Sequence, residues 1–166
     1  MEKIIFPDLY CPFPSQINKH VDVLEDYALE WVTRFNLLRD ELSYQRLYKS
    51  KFYFLAACAY PYSQLEELKI ANDLLNWVFI WDDQCDTSDL GKQPELLKLF
   101  HKRFLEILNG VELTNQDILL THALSDLRQR ILQKMSRTWF FHLVCGFQDW
   151  FNGYEQEAVI RAQNII

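Results

Sequence analysis

One stretch constrains the fold of this chain more than any other: Ser63 to Asp86, a helical run that ends in three carboxylates. Pro61 and Tyr62 precede Ser63-Gln64-Leu65-Glu66, a capping-box pattern that predicts a helix start at Ser63. Leu65, Leu68, Ala71, Leu74, Leu75, Val78 and Phe79 then recur at helical spacing. The run is roughly 36 Å long, enough to cross a small domain and deliver its last residues to one end of it. Those residues are Asp82, Asp83 and Asp86, set directly after the apolar, aromatic segment Leu74-Leu-Asn-Trp-Val-Phe-Ile-Trp81. A helix C-terminus carries the negative pole of the macrodipole, so aspartates there are electrostatically misplaced. Like charges within one turn also repel. A cation would offset both costs, and a hard divalent ion suits an all-oxygen ligand set. The cluster is a candidate metal site.

With Asp82 as the zero of the helical wheel, Leu75 falls at about 20°, Asp86 at about 40°, Phe79 at about 60° and Asp83 at about 100°. Trp81 points away at about −100°. One face therefore reads Leu75, Phe79, then a carboxylate rim. An apolar wall beneath a metal-binding rim suits a ligand with a hydrocarbon body and an anionic head. The net charge of −6 would repel such a head; Mg²⁺ shared between one or two carboxylates and phosphate oxygens removes that conflict. Most Asp-Asp pairs are solvated loop residues, and the long capped helix with its aromatic lead-in sets this one apart. An EF-hand fails on inspection. Counted from Asp82, the position that needs Gly is Thr87, and the position that needs a bidentate Glu is Gln93.

The rest of the chain reads as one all-α domain. Hydrophobic content of 49% with only four Gly and five Pro argues against a disordered or all-β protein. An extended arm is expected over the first fourteen residues, which hold Pro7, Pro12 and Pro14. Helices are expected at about Ser15 to Asn36, Arg39 to Ala59 and Ser63 to Asp86, followed by a polar loop, Thr87 to Pro94. A helix from Glu95 to Leu108 is closed by Asn109-Gly110. Another starts at Thr114-x-x-Asp117 and runs to about Gln133, and the last covers Ser136 to Ile166.

Negative net charge with dispersed Lys and Arg excludes a nucleic-acid footprint. The longest uncharged run, Phe52 to Leu65, contains Pro61 and is too short to span a bilayer, so no stable membrane insertion is expected. Met1-Glu-Lys-Ile lacks a signal-peptide pattern. Cys11, Cys58, Cys85 and Cys145 are widely spread, which suggests reduced thiols in a cytoplasmic protein. Cys85 reads as a packing residue, because Mg²⁺ avoids sulfur. His20, His101, His122 and His142 stand alone and read as satisfied surface or core residues. Arg128, Arg130 and Arg137 could reach an anion, but solvation is their default reading. The aromatic run Trp139 to Phe151 reads as core, with cavity lining as its functional alternative.

Four stretches carry a family resemblance. Leu55-Ala-Ala-Cys-Ala-Tyr60-Pro61 and Asn72 through Asp86 resemble the bacterial type of class I terpene synthase, with a sesquiterpene cyclase nearest in kind. Phe6-Pro-Asp-Leu-Tyr-Cys-Pro-Phe-Pro-Ser15 is similar to that family's N-terminal segment, and Tyr154-Glu155-Gln-Glu157-Ala158 with Arg161 to a later one. The resemblance implies an all-α bundle around an apolar cavity. It also implies Mg²⁺, with Mn²⁺ as a substitute, held at the cavity mouth by the Asp-rich motif and gripping the diphosphate of a prenyl substrate such as farnesyl diphosphate. By motif position Asp82 is the first metal-binding carboxylate, Asp83 and Asp86 flank it, and Asp82 and Asp83 carry the catalytic role. Phe79 corresponds to the aromatic that faces the cavity.

The family's second metal motif, Asn/Asp-x-x-x-Ser/Thr-x-x-x-Glu, has no full match here. Asp117, Thr121 and Ser125 have its spacing but lack the final Glu. The family's diphosphate-sensing Arg and its C-terminal Arg-Tyr pair are expected beyond residue 166. Residues 1–166 are thus expected to be the N-terminal portion of a single domain, catalytically inactive alone. A chain-elongating prenyltransferase is disfavoured, because the Arg-Arg pair it needs after its first motif is replaced by Thr87-Ser-Asp-Leu-Gly-Lys-Gln-Pro94. A non-catalytic helical binding protein is the alternative from another class. Oligomeric state, a homodimer included, is left open.

Overall fold

The computed structural model describes residues 10–163. Residues 1–9 of the expected arm and the expected helical end at 164–166 lie outside them; 10–14 are not helical. The described residues form eight α-helices: α1 (Val21–Tyr27), α2 (Glu30–Arg34), α3 (Glu41–Ser50), α4 (Phe52–Ala59), α5 (Leu65–Asp86), α6 (Pro94–Leu108), α7 (Leu119–Lys134) and α8 (Arg137–Ala162). A 3₁₀ turn, Asp89–Lys92, joins α5 to α6. The described residues contain no strand.

The expected helix from Ser15 is delayed to Val21 because Asn18 is committed elsewhere. Its buried amide donates to the carbonyls of Tyr60 (2.8 Å) and Ser63 (2.9 Å), pinning the turn before α5. The same turn uses the Ser63 hydroxyl, which donates to Tyr60 O at 3.0 Å. Ser63 is therefore not the cap of α5; Gln64 stands there with no side-chain bond. The helix expected over Arg39 to Ala59 is two helices, broken at Lys51, whose φ of 50° is left-handed. The break separates a polar helix that buries only Leu47 from an apolar one that buries Ala56 and Ala57. A capping box starts α3: Asp40 accepts from Ser43 N at 2.8 Å, and Ser43 Oγ accepts from Asp40 N at 3.1 Å.

The later helices follow the sequence more closely. Pro94 opens α6, and Gly110, at φ 95°, closes it in a Schellman motif with Val111 N on Glu106 O and Gly110 N on Ile107 O. Ser136 caps α8 by accepting from Trp139 N at 3.1 Å. The start expected at Thr114 moves to Leu119, since the Asp117 carboxylate is taken by Arg103 (two contacts at 2.7 Å) and by Thr114. That bidentate pair holds the Asp117 carboxyl well below the usual range.

α5 runs through the middle, packed by α1, α4 and α7. Its Trp77 and Trp81 are buried against Phe104 of α6 in edge-on contacts at 5.0 and 5.1 Å, and Phe147 and Phe151 of α8 extend the same aromatic core. Trp77 donates to Leu120 O at 2.8 Å, so even the largest core side chain keeps its polar atom paired.

A carboxylate-rimmed cleft at the end of the central helix

The core fixes where α5 ends, and hence where the carboxylates stand. Trp81 is turned inward, as its wheel angle predicts, and donates to His101 Nε2 at 3.2 Å. His101 Nδ1 then carries the proton and meets Glu155 at 2.9 Å, while the ring stacks on Phe151 at 4.2 Å. Burial holds the imidazole below its ordinary pKa despite Glu155, so it is a neutral clamp joining α5, α6 and α8 beneath the rim. Cys85 is buried too, and burial first, then Asp82, pushes its thiol up to about 12; it packs and does not ligate.

Above this clamp a cleft of about 690 Å³ opens between α3 and α5. Its floor is a pair of stacked rings, Phe52 and Phe79, with centroids 4.0 Å apart and planes within 1°. Asp82, Asp83 and Asp86 all line it. Leu75 does not; it packs one turn lower with Leu24, Ala56 and Leu68, because α1 and α4 close over that level. The wall expected from Leu75 and Phe79 is thus built by Phe79 with Phe52, a partner on α4 that no spacing argument could supply.

The three aspartates have different surroundings. Asp83 pairs with Arg46 of α3 at 2.9 Å. Asp86 pairs with Arg161 of α8 at 2.6 Å. Asp82 makes no hydrogen bond or ion pair among the described residues. Its carboxyl is raised above its ordinary range, first by burial and next by the charge of Asp86, with Glu157 and Asp83 adding to it against Arg161. Among the described residues no three Asp, Glu, His or Cys side chains converge into a closed metal cage. The donors still fit a hard divalent ion: they are oxygens at a site of excess negative charge, and the open geometry leaves coordination positions for a ligand's own oxygens. The residues that share the second motif's spacing are engaged elsewhere. Asp117 is held by Arg103, and Thr121 is buried.

Arg130 departs from its expected solvation. It is partly buried, paired to Asp73 at 2.7 Å and Asp126 at 3.2 Å, against the middle of α5 and outside the cleft lining. Arg128 donates to Leu108 O. Neither faces the rim.

The sequence pattern described as "Terpene synthase family 2, C-terminal metal binding" matches residues 73–166, which include all three rim aspartates. The chain belongs to the terpene synthase family. Its similarity to individual members agrees: 61% identity to germacrene A synthase of Nostoc punctiforme over all of this chain and 51% of that protein. It is 37% identical to (+)-T-muurolol synthase of Roseiflexus castenholzii over 92% of this chain and 47% of that protein. Among solved structures, germacradien-4-ol synthase of Streptomyces citricolor matches with a TM-score of 0.80 and 32% identity over 93% of this chain and 51% of that one. The chain thus spans about half the length of the terpene synthases it matches, and the all-helical fold and rim motif belong to the shared half. No helix among the described residues is long and apolar enough to cross a membrane.

Proposed function

We propose that the protein is a sesquiterpene cyclase that ionises a prenyl diphosphate, farnesyl diphosphate by preference, releases diphosphate and closes the hydrocarbon into a ring. The observation that carries this reading is the meeting, in one cleft, of the unpaired Asp82 carboxylate with the stacked Phe52–Phe79 floor. The relatives support the substrate: the muurolol synthase is named as cyclising (2E,6E)-farnesyl diphosphate. Mg²⁺, with Mn²⁺ as a substitute, supplies Lewis acidity that draws negative charge from the departing diphosphate. In this reading Asp82 holds the ion from the end of α5, Asp86 joins it on the same face, and Asp83 flanks it on the α3 side. Phe79 and Phe52 face the prenyl chain, shed water from it and offer π-faces to the positive charge left by ionisation. No side-chain base is needed to begin the reaction. Four unpaired cysteines support a reducing, cytoplasmic setting.

The test is an assay of the complete reading frame containing these residues, supplied with farnesyl diphosphate with and without Mg²⁺. Metal-dependent release of diphosphate and a volatile hydrocarbon is expected, reduced about a hundredfold or more in Asp82→Ala. Product formation that ignores the metal, or survives Asp82→Ala undiminished, would overturn the reading.

A further inference from the structure

A second cavity, of about 380 Å³, lies around the flank of α5 that carries Trp81 and Gln84. Phe100 faces it from α6, Leu119 from the start of α7, and Leu37 from the corner between α2 and α3. That corner is made by Asn36. Its φ of 51° is left-handed, which asparagine tolerates, and Leu37 N on Val32 O with Asn36 N on Thr33 O closes α2 in a Schellman motif. The turn buries Leu37 in the cavity wall and leaves Arg39 exposed at the mouth. The inner wall is apolar, with Trp81 and Phe100 in edge-on contact at 5.5 Å. The polar groups are unevenly employed. Asp117 is neutralised, since both its oxygens accept from Arg103 at 2.7 Å. Arg39 has no acidic partner among the described residues; its one hydrogen bond runs from Nη2 to Gln84 Oε1 at 3.0 Å. The Gln84 amide nitrogen and the Asn36 side chain have no hydrogen-bond partner among those residues either.

We propose that this cavity binds an amphiphilic monocarboxylate, with the hydrocarbon chain against Trp81 and Phe100 and the carboxylate on Arg39. The walls select an apolar body, and the spare N–H donors with one uncompensated cation select an anion of single charge. The volume holds about a dozen non-hydrogen atoms at the ~30 Å³ each that a water takes in the liquid, the size of a ten-carbon fatty acid. The site is not a second copy of the cleft. It has no free carboxylate to seat a metal, so a diphosphate would bring several charges to one guanidinium. Arg39 and Gln84 also border the cleft, but the rim aspartates repel a monoanion from that side.

The experiment titrates decanoate, below its micellar concentration, into the protein expressed from the complete reading frame and follows binding by calorimetry. Saturable binding at a single site is expected. Arg39→Met should weaken it about tenfold or more, since a charged hydrogen-bond partner is lost. Arg39→Lys, which keeps the charge without the planar fork, should lose less. Decanol, the same chain without the charge, should bind wild type about tenfold or more weakly than decanoate and bind Arg39→Met equally. Leu119→Asp sets a carboxylate in a wall that belongs to this cavity and not to the cleft, at a half-exposed position that the fold tolerates. It should abolish decanoate binding. Decanoate that does not saturate, that binds Arg39→Met as tightly as wild type, or that binds no better than decanol overturns the inference. Binding that survives Leu119→Asp puts the acid elsewhere on the protein and overturns it too.

Discussion

Asp73 and Asp82 stand about two and a half turns apart on α5 and meet opposite treatment. Asp73 is wholly buried, yet it accepts from Arg130 at 2.7 Å, the Tyr27 hydroxyl at 2.6 Å and Asn72 at 3.2 Å. Arg130 in turn reaches Asp126, which also accepts from Trp31 and Arg34, so one network ties α1, α2, α5 and α7. Asp82 is partly exposed and has neighbours of its own sign. In the middle of the helix a carboxylate is compensated by protein cations and closes the fold. At its C-terminal end one is left short of compensation, and the deficit is what an external cation can fill. Asp residues of one helix thus divide between stability and chemistry according to who supplies the positive charge.

The largest effect expected from breaking this contrast is at the buried carboxylate. Arg130→Met removes the cation from a carboxylate that cannot reach water, and should lower unfolding free energy by about 3–5 kcal/mol. The pH dependence has a definite sign. Burial, opposed by Tyr27 and Arg130, holds the Asp73 carboxyl up at about 6, so between about 4 and 6 the folded state keeps a proton that the unfolded state gives up. Asp73 therefore contributes stability at low pH that is lost as pH rises through 6. Without Arg130 the carboxyl rises further, and the damage should be greater at pH 8 than at pH 5 in urea titrations. An equal loss at both would mean that Asp73 is not the group left uncompensated.

A middle-sized effect is expected at the clamp below the rim, where fold and site meet. His101→Leu leaves the buried Trp81 N–H without an acceptor and should cost about 2 kcal/mol. Here the sign reverses. Burial depresses the imidazole, so the unfolded chain takes up a proton first as pH falls below about 6.5, and wild-type stability drops on acidification. His101→Leu should lose that drop while the Asp73 slope remains. A variant melting curve that falls with acid as steeply as wild type would show His101 to be protonated in the fold.

Much of this was legible in the sequence, for reasons that differ by region. α6 follows its expected span and α8 its expected start, because Gly110, Pro94 and Ser136 act on backbone within a few residues of themselves. The rim motif and Phe79 were legible for the same reason, being fixed by spacing along one helix. What escaped the sequence depends on partners that only the fold supplies. Asn18 is spent on a turn more than forty residues later, Asp117 on Arg103, and Asn76 on the carbonyl of Ala28 where α1 gives way to α2. Phe52 and Arg46 reach the cleft from helices whose own patterns give no hint of it. Arg161 and Glu157 form an ordinary i, i+4 pair in the sequence, and the third member, Asp86, is 75 residues away. The pairing of Arg130 is not legible, because a lone arginine carries no sign of a buried carboxylate facing it.

The smallest effect is the one that most sharpens the contrast. Asp82→Asn removes a charge that has no hydrogen bond or ion pair among the described residues, so no protein group is orphaned by its loss. Stability should change by no more than about 0.5 kcal/mol, and in the stabilising direction, because Asp86 and Glu157 lose a like-charged neighbour. Mn²⁺ binding should nevertheless disappear. A protein that melts as wild type does, or slightly later, and binds no metal would show that Asp82 contributes nothing to holding α5 in place. If Asp82→Asn instead destabilised the protein on the scale of Arg130→Met, Asp82 would have a further partner, and the division of α5 into a compensated middle and a deficient end would not hold. The rim is maintained at an electrostatic loss to the fold, small because solvent still reaches it, and that loss is what selects for a cation from outside.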